Sequence, residues 1–315
     1  MLGQRMESEI REQPRLLRKN WLTYTQCLQP LGAGKEFEMI VLEARGSSDN
    51  AALYGRYLVE IYLGIPALLA APSVLTRYGV SVRYQEALVV GISQSGAAPD
   101  VAEVLEAARK KGHKTLAITN TAESKISEVA DLTLELNLGQ EQAVAATKTY
   151  SASLLALYAV VKSLGGELDD PMLPDDEWVE ECYSSAERAV ETAIATEQLF
   201  SLARGIRFCS ADEAALKMME CALLPCLPYS LADFQHGPRA LAQNHAAAIL
   251  FGKAQAGPDI EGFRMIRCPE RPGVPESVQP IWDSIFAQWL ALLCARKRIL
   301  DPDRPEGLSK VTKTL

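Results

Sequence analysis

The run Ala87-Leu88-Val89-Val90-Gly91-Ile92-Ser93 is apolar without alternation. It ends in Ser93-Gln94-Ser95-Gly96, and Pro99-Asp100 then opens a helical pattern that reaches about Gly112. A strand with no polar face must be covered on both sides, which is the situation of a parallel strand between two helical layers. Similar apolar segments recur at 37–44, 65–71, 115–119, 131–136 and 246–252. Helical patterns stand between or around them: 7–30 (interrupted near Pro14), a stretch to about Leu63, 146–164, 178–200 and 275–299. Strands alternating with helices predict an α/β chain whose parallel sheets carry helices on both faces.

The turn after the central strand is unusual. A strand-to-helix turn needs one capping residue, and Ser93, Gln94 and Ser95 supply three hydrogen-bonding side chains beside a glycine. The start of a helix presents free backbone N–H groups and the positive end of its dipole, so such a turn suits an anion. Gly46, Ser47 and Ser48 occupy the same position after an earlier strand. The segment is neither a P-loop, since its lysine is missing, nor a nucleophile elbow, since the closing glycine is absent.

Composition narrows the classes. The chain has 315 residues and a formal net charge of -8. A nucleic-acid binder normally carries a basic excess, so neither nucleic acid nor an acidic membrane surface is an expected partner. No apolar run reaches the ~18 residues of a membrane span, and the first residues lack the apolar core of a signal peptide, so a cytoplasmic protein is expected. The seven cysteines are scattered with no C-x-x-C spacing, which predicts reduced, buried thiols and no metal site.

Other residues draw attention by context. Lys217 and Glu220 share a face of an otherwise apolar helical stretch, where a carboxylate can act as a proton carrier. His236 precedes Gly237-Pro238, a turn from which an imidazole can project. Lys310 lies in a polar tail. Ala203-Arg204-Gly205 repeats Ala44-Arg45-Gly46, and each is followed by an Ala-Ala-Leu helix, which suggests an internal duplication.

Taken in order, these pieces resemble the isomerase half of glucosamine-6-phosphate synthase, a member of the double sugar-isomerase (SIS) domain family. The resemblance runs from Met6-Glu7-Ser8-Glu9-Ile10-Arg11-Glu12-Gln13-Pro14, through Arg45-Gly46-Ser47-Ser48, Ser93-Gln94-Ser95-Gly96, Gly139 to Lys148, Ala215 to Glu220 and His236-Gly237-Pro238, to Asp301-Pro302-Asp303-Arg304-Pro305 and Lys310-Val311-Thr312. It implies two SIS domains, each a flavodoxin-like parallel sheet, at 35–170 and 201–298. A helical segment (1–34), a linker with a helix (171–200) and a C-terminal tail (299–315) complete the chain.

The resemblance also implies roles. Ser93, Gln94 and Ser95, with Gly46, Ser47 and Ser48, would hold the phosphate of a sugar 6-phosphate. Val144 and Ala146 would contact the sugar through their backbone, with Glu141 nearby. Glu220 would move a proton between C1 and C2, and Lys217 would support the enediol. His236 would help open the ring, donated by the neighbouring subunit of a homodimer, and Lys310 would reach in from the tail. No metal or cofactor is implied. Ala97-Ala98 and Ala146 depart from the synthase pattern, the first removing a phosphate hydroxyl. With no glutaminase segment before the match, the expected reaction is conversion of glucosamine 6-phosphate to fructose 6-phosphate and ammonia. Isomerisation or deglycation of another sugar 6-phosphate, or sugar-phosphate sensing, are the alternatives.

Overall fold

A computed structural model describes residues 1–32, 37–241, 246–253 and 262–310. The last residues of the expected N-terminal segment (33–34) and of the tail (311–315) lie outside the described residues. The chain divides into two compact units. One comprises Leu16–Gln140 and Thr149–Pro171; the other comprises Met1–Arg15, Glu141–Lys148 and Met172–Lys310.

The first unit holds a five-stranded parallel sheet. Its strands are β1 (Met39–Glu43), β2 (Ala67–Leu69), β3 (Ala87–Ile92), β4 (Lys114–Thr119) and β5 (Leu132–Glu135), in the order β2-β1-β3-β4-β5. Every residue of β3 is buried, as its unbroken apolar run requires. One face packs Val41, Val89 and Ala117 against Val101, Leu105 and Ala108 of α4 (Pro99–Lys110) and Ile126 of α5 (Lys125–Val129). On the opposite face, Gly55 of α2 (Ser47–Tyr62) admits Leu42 and Leu157 so closely that a Cβ there would lie 3.3 and 3.1 Å from them. Leu157 belongs to α6 (Lys148–Ser163). Helices therefore cover both faces.

The second unit repeats the pattern with four parallel strands, β6 (Gln198–Ala203), β7 (Cys226–Ser230), β8 (Ala246–Leu250) and β9 (Arg264–Arg267), in the order β7-β6-β8-β9. Phe200, Leu202, Ala246 and Ala248 form one apolar face with Leu231 and Phe234 of the short helix α9 (Leu231–Phe234). Three longer helices belong to this unit: α7 (Asp176–Ile194), α8 (Phe208–Ala222) and α10 (Gln279–Lys297). The α10 helix is buried on nearly all sides.

Two expectations are corrected. The N-terminal helix α1 (Gln4–Gly32) runs through Pro14. Proline removes the N–H that would bond the Ile10 carbonyl. The side-chain amide of Gln13 supplies the replacement, donating to that carbonyl at 3.3 Å. The helix expected over 178–200 stops at Ile194, and Gln198–Ala203 is the central strand of the second sheet. Strands β7 and β9 had no clear sequence signal. Both are edge strands, where a residue such as Pro228 of β7 is tolerated.

Candidate functional site

In the first unit, β1 and β3 are parallel neighbours, with Glu43 opposite Gly91. The loops that leave their carboxyl ends are therefore adjacent, at the point where the strand order reverses, which is where open α/β sheets bind ligands. Gly46 takes φ 58° and ψ -131° as the residue before α2, and Ser47 and Ser48 form that helix's first turn without any side-chain cap. The α4 helix begins after Ala98, again with no side-chain cap, and with Pro99 in its first turn. The serines are thus not engaged in capping. Among the described residues, the hydroxyls of Ser47, Ser48 and Ser93 and the side-chain amide of Gln94 have no hydrogen-bond partner.

The backbone of this turn is fixed from behind. Ser93 N–H donates to the Ile118 carbonyl at 3.0 Å, Asn120 N–H to the Gln94 carbonyl at 3.1 Å, and Ile126 N–H to the Gly96 carbonyl at 3.2 Å. The Ala97 N–H donates to Ser95 Oγ at 3.3 Å. Gly96 sits at φ +63°, and a Cβ there would fall 2.2 Å from Ser124 Oγ and 3.0 Å from Thr119 Oγ1. Gly96→Ala is expected to cost at least ~1–2 kcal/mol from the left-handed backbone alone. It should also displace the turn. The check is the melting temperature, which should fall.

The electrostatics of these loops were not anticipated. Arg45 Nε lies 2.6 Å from Oδ2 of the buried Asp100, joining the loop after β1 to the first turn of α4. Behind them, the last residue of β1 is a fully buried carboxyl, Glu43. Neither of its oxygens has a hydrogen-bond partner among the described residues. Burial, and then the nearby Asp100 charge, push its pKa up to about 8, with Arg45 opposing and Asp49 adding to the rise. The native state therefore holds a proton that the unfolded chain releases at its ordinary carboxylate pKa. Stability should decline as pH rises from the unfolded value of 4.5 through about 8. Glu43→Gln should remove that decline, read as unfolding midpoint against pH.

In the second unit, Lys217 is completely buried on α8. Its ammonium pairs with Glu220 three residues on, and lies 3.5 Å from Glu213 one turn back. Burial alone would lower the Lys217 pKa; the two carboxylates outweigh it and hold the ammonium charged. Glu220 is partly exposed, its side chain at 27%. The two expected residues are thus together, and Glu213, fully buried, completes a triad the sequence reading did not single out.

Two further candidate residues, named separately in the sequence, meet in the same unit. Lys310 Nζ is 2.6 Å from Oε2 of the buried Glu141. Glu141 Oε1 accepts from Thr147 N–H at 3.0 Å and from Thr147 Oγ1 at 3.1 Å. Glu9, from the first turns of α1, accepts the N–H groups of Gln142 and Ala143. Burial and the Glu141 charge raise the Glu9 pKa against these bonds. The two carboxylates pin the loop 141–147, along which Val144 and Ala146 are partly exposed between buried neighbours. His236 lies elsewhere, exposed in the turn after α9, its N–H donating to the Asp233 carbonyl at 2.9 Å.

Chemically, the first unit offers hydroxyls and amides for an anion. The second offers a part-exposed carboxylate fixed by an ammonium, which suits proton transfer with stabilisation of the developing charge. Among the described residues, no group of His, Cys, Asp and Glu is arranged to hold a metal ion, and no helix is long and apolar enough to cross a membrane.

Comparison with known proteins places this architecture. Residues 37–163 match the SIS domain family. A glutamine–fructose-6-phosphate aminotransferase (isomerizing) of Methanothermobacter thermautotrophicus is 30% identical over 97% of this chain and 56% of its own length. The chain thus spans about half the length of the curated relatives it matches. A structure from Silicibacter pomeroyi DSS-3, provisionally described as a phosphosugar isomerase, superimposes with TM-score 0.81 at 26% identity, over 96% of this chain and 100% of that one. Glucosamine-6-phosphate deaminase of Thermotoga maritima shares the fold, with TM-score 0.80 at 22% identity over 98% of this chain and 100% of that one. The chain therefore carries an SIS domain over residues 37–163 and is homologous to the isomerase half of the glutamine–fructose-6-phosphate aminotransferases.

Proposed function

We propose that this chain is a phosphosugar isomerase that acts as a deaminase on glucosamine 6-phosphate. The observation that carries the reading is the Glu220 carboxylate, part-exposed on α8 and fixed by the buried ammonium of Lys217. Homology to isomerase segments and the spare hydroxyls of the β1 and β3 loops support it. In this reading the two sheets are two SIS domains, 35–170 and 201–298.

Ser47, Ser48, Ser93, Gln94 and Ser95 hold the 6-phosphate, and backbone groups at Val144 and Ala146 hold the sugar. His236, from the neighbouring subunit of a homodimer, moves the ring proton as the sugar opens. Glu220 removes the proton at C2 of the open aldehyde, giving an enolamine, and returns it to C1. The Lys217 ammonium offsets the charge that develops between these steps. The product carries an imine at C2. Water adds there and ammonia leaves, so glucosamine 6-phosphate and water become fructose 6-phosphate and ammonia. Lys310, paired with Glu141, supplies a cation at the sugar loop. The reaction takes place in the cytoplasm.

The test is incubation of the purified protein with glucosamine 6-phosphate, measuring fructose 6-phosphate and ammonia together. Equal amounts of both products are expected. Turnover of other sugar 6-phosphates without ammonia would replace deamination by isomerisation. Tight binding with no turnover across the panel would replace catalysis by sensing.

A further inference from the structure

The second sheet repeats the first. Its order β7-β6-β8-β9 is that of β2-β1-β3-β4, so the gap between the carboxyl ends of β6 and β8 is the counterpart of the gap between β1 and β3. The repeated Ala-Arg-Gly begins at the last residue of β6 and just after β1, and Gly205 takes φ 61° where Gly46 takes φ 58°. A cavity of about 760 Å³ opens there, lined by Arg204, Gly205, Arg207, Gly252, Lys253, Glu270, Arg271 and Glu276 among others. That volume lies within the roughly 300–1,000 Å³ of small-molecule sites.

The chemistry of this second mouth differs from the first. Serine hydroxyls line the β1 and β3 loops, and cations line this cavity. Two of them are committed to carboxylates. The buried Arg207 bonds Asp283 at 2.6 and 2.9 Å and Glu270 at 2.8 Å. Arg271 reaches Glu177 at 2.9 Å and Asp175 at 3.2 Å. Arg204 and Lys253 have no ion-pair partner among the described residues. Two cations without an ion-pair partner among the described residues thus line this cavity, with the carboxylate of Glu276 also on its wall, in a chain of net charge -8. Gly252, at φ +86°, passes so close to Arg207 that a Cβ would lie 3.2 Å from its guanidinium.

We propose that this cavity is a second anion site, which binds a small phosphate monoester or free phosphate between Arg204 and Lys253. It shares no residue with the site assigned above and does not depend on that reading. A dianion matches these two cations, which have no ion-pair partner among the described residues.

Calorimetric titration of the full chain with glucosamine 6-phosphate, and separately with inorganic phosphate, tests this. Three proteins are compared: wild type, Arg204→Ser/Lys253→Ser, and Ser47→Ala/Ser93→Ala/Ser95→Ala. Two binding events per chain are expected for wild type with the sugar phosphate. The Arg204/Lys253 variant should weaken one of them at least tenfold and leave the other unchanged. The serine variant should do the converse. Both replaced cationic residues are surface groups outside the assigned catalytic machinery, so the fold and turnover are expected to persist. Similar affinity for inorganic phosphate at the cationic site identifies a simple anion as its ligand; tighter binding of the sugar phosphate identifies a sugar ester. A single binding event in wild type that the Arg204/Lys253 variant leaves unaltered would overturn the proposal. Loss in that variant with no effect of the serine changes would instead overturn the serine-loop assignment and leave this one standing.

Discussion

Lys217→Met is expected to destabilise the protein by about 3–5 kcal/mol, the range seen when one partner of a buried ion pair is removed. The reason is Glu213. Its side chain is only 1% exposed, against 0% for Lys217 and 27% for Glu220. Without the ammonium, Glu220 can turn toward water, and Glu213 cannot. It must either remain charged in an apolar helix interface or take up a proton. The measurement is urea unfolding at neutral pH. Glu213→Leu/Lys217→Met should recover most of the loss, because an apolar pair of similar volume replaces the buried charges. A single variant within about 1 kcal/mol of wild type, the scale of an exposed pair, would show that the triad is not buried as described.

This triad shows what the sequence could reveal. The spacing of Lys217 and Glu220 is local, so one helical face is legible from residue numbers alone. Glu213 has equally good i,i+4 spacing, but nothing local says which charge will be buried. That depends on what packs over α8. The same limit applies to Arg45 and Asp100, 55 positions apart and brought together because β1 and β3 are neighbours. The α/β class and most strands were legible because buried parallel strands leave continuous apolar runs. The boundary between α7 and β6 was not, since alanine-rich Ala193-Ile194-Ala195 runs into Leu199-Phe200 with no glycine or proline to mark the change. Pro14 misled in the opposite direction. A local rule predicts a break, and a neighbouring glutamine side chain repairs the missing bond.

The serine loops show how far a motif can carry a functional reading. The sequence reading expects the cluster to grip an anion, and the fold adds that neither α2 nor α4 uses a side-chain cap. Glu43 was not legible, because in sequence it is one acidic residue at the end of an apolar strand. Only the sheet places it, buried, beneath Arg45 and Asp100. In the proposed reading, the loop above this carboxyl should bind a phosphate dianion best between about pH 6, where the dianion forms, and about pH 8, where Glu43 loses its proton.

Glu220→Gln is the strongest test of the proposed chemistry. Loss of a general acid–base residue lowers rates by roughly 10²–10⁴-fold, and a fall in that range is expected for glucosamine 6-phosphate turnover. The amide keeps the size of the carboxylate and an oxygen that can accept from Lys217, so the fold should survive. Glu220 is also the exposed end of the triad, with Glu213 left to neutralise the buried ammonium. The unfolding midpoint should therefore move little, and KM should stay within a few-fold, because the substrate is held by other groups. A fall in kcat with KM preserved marks an interaction made in the transition state. The proton itself can be followed. With fructose 6-phosphate in deuterated water, wild type should exchange a C1 hydrogen and the variant should not, even if slow ring opening limits overall turnover. Exchange at the wild-type rate in Glu220→Gln would remove this residue as the base, and would direct attention to the Glu141–Lys310 pair, the other carboxylate and ammonium that the second unit brings together.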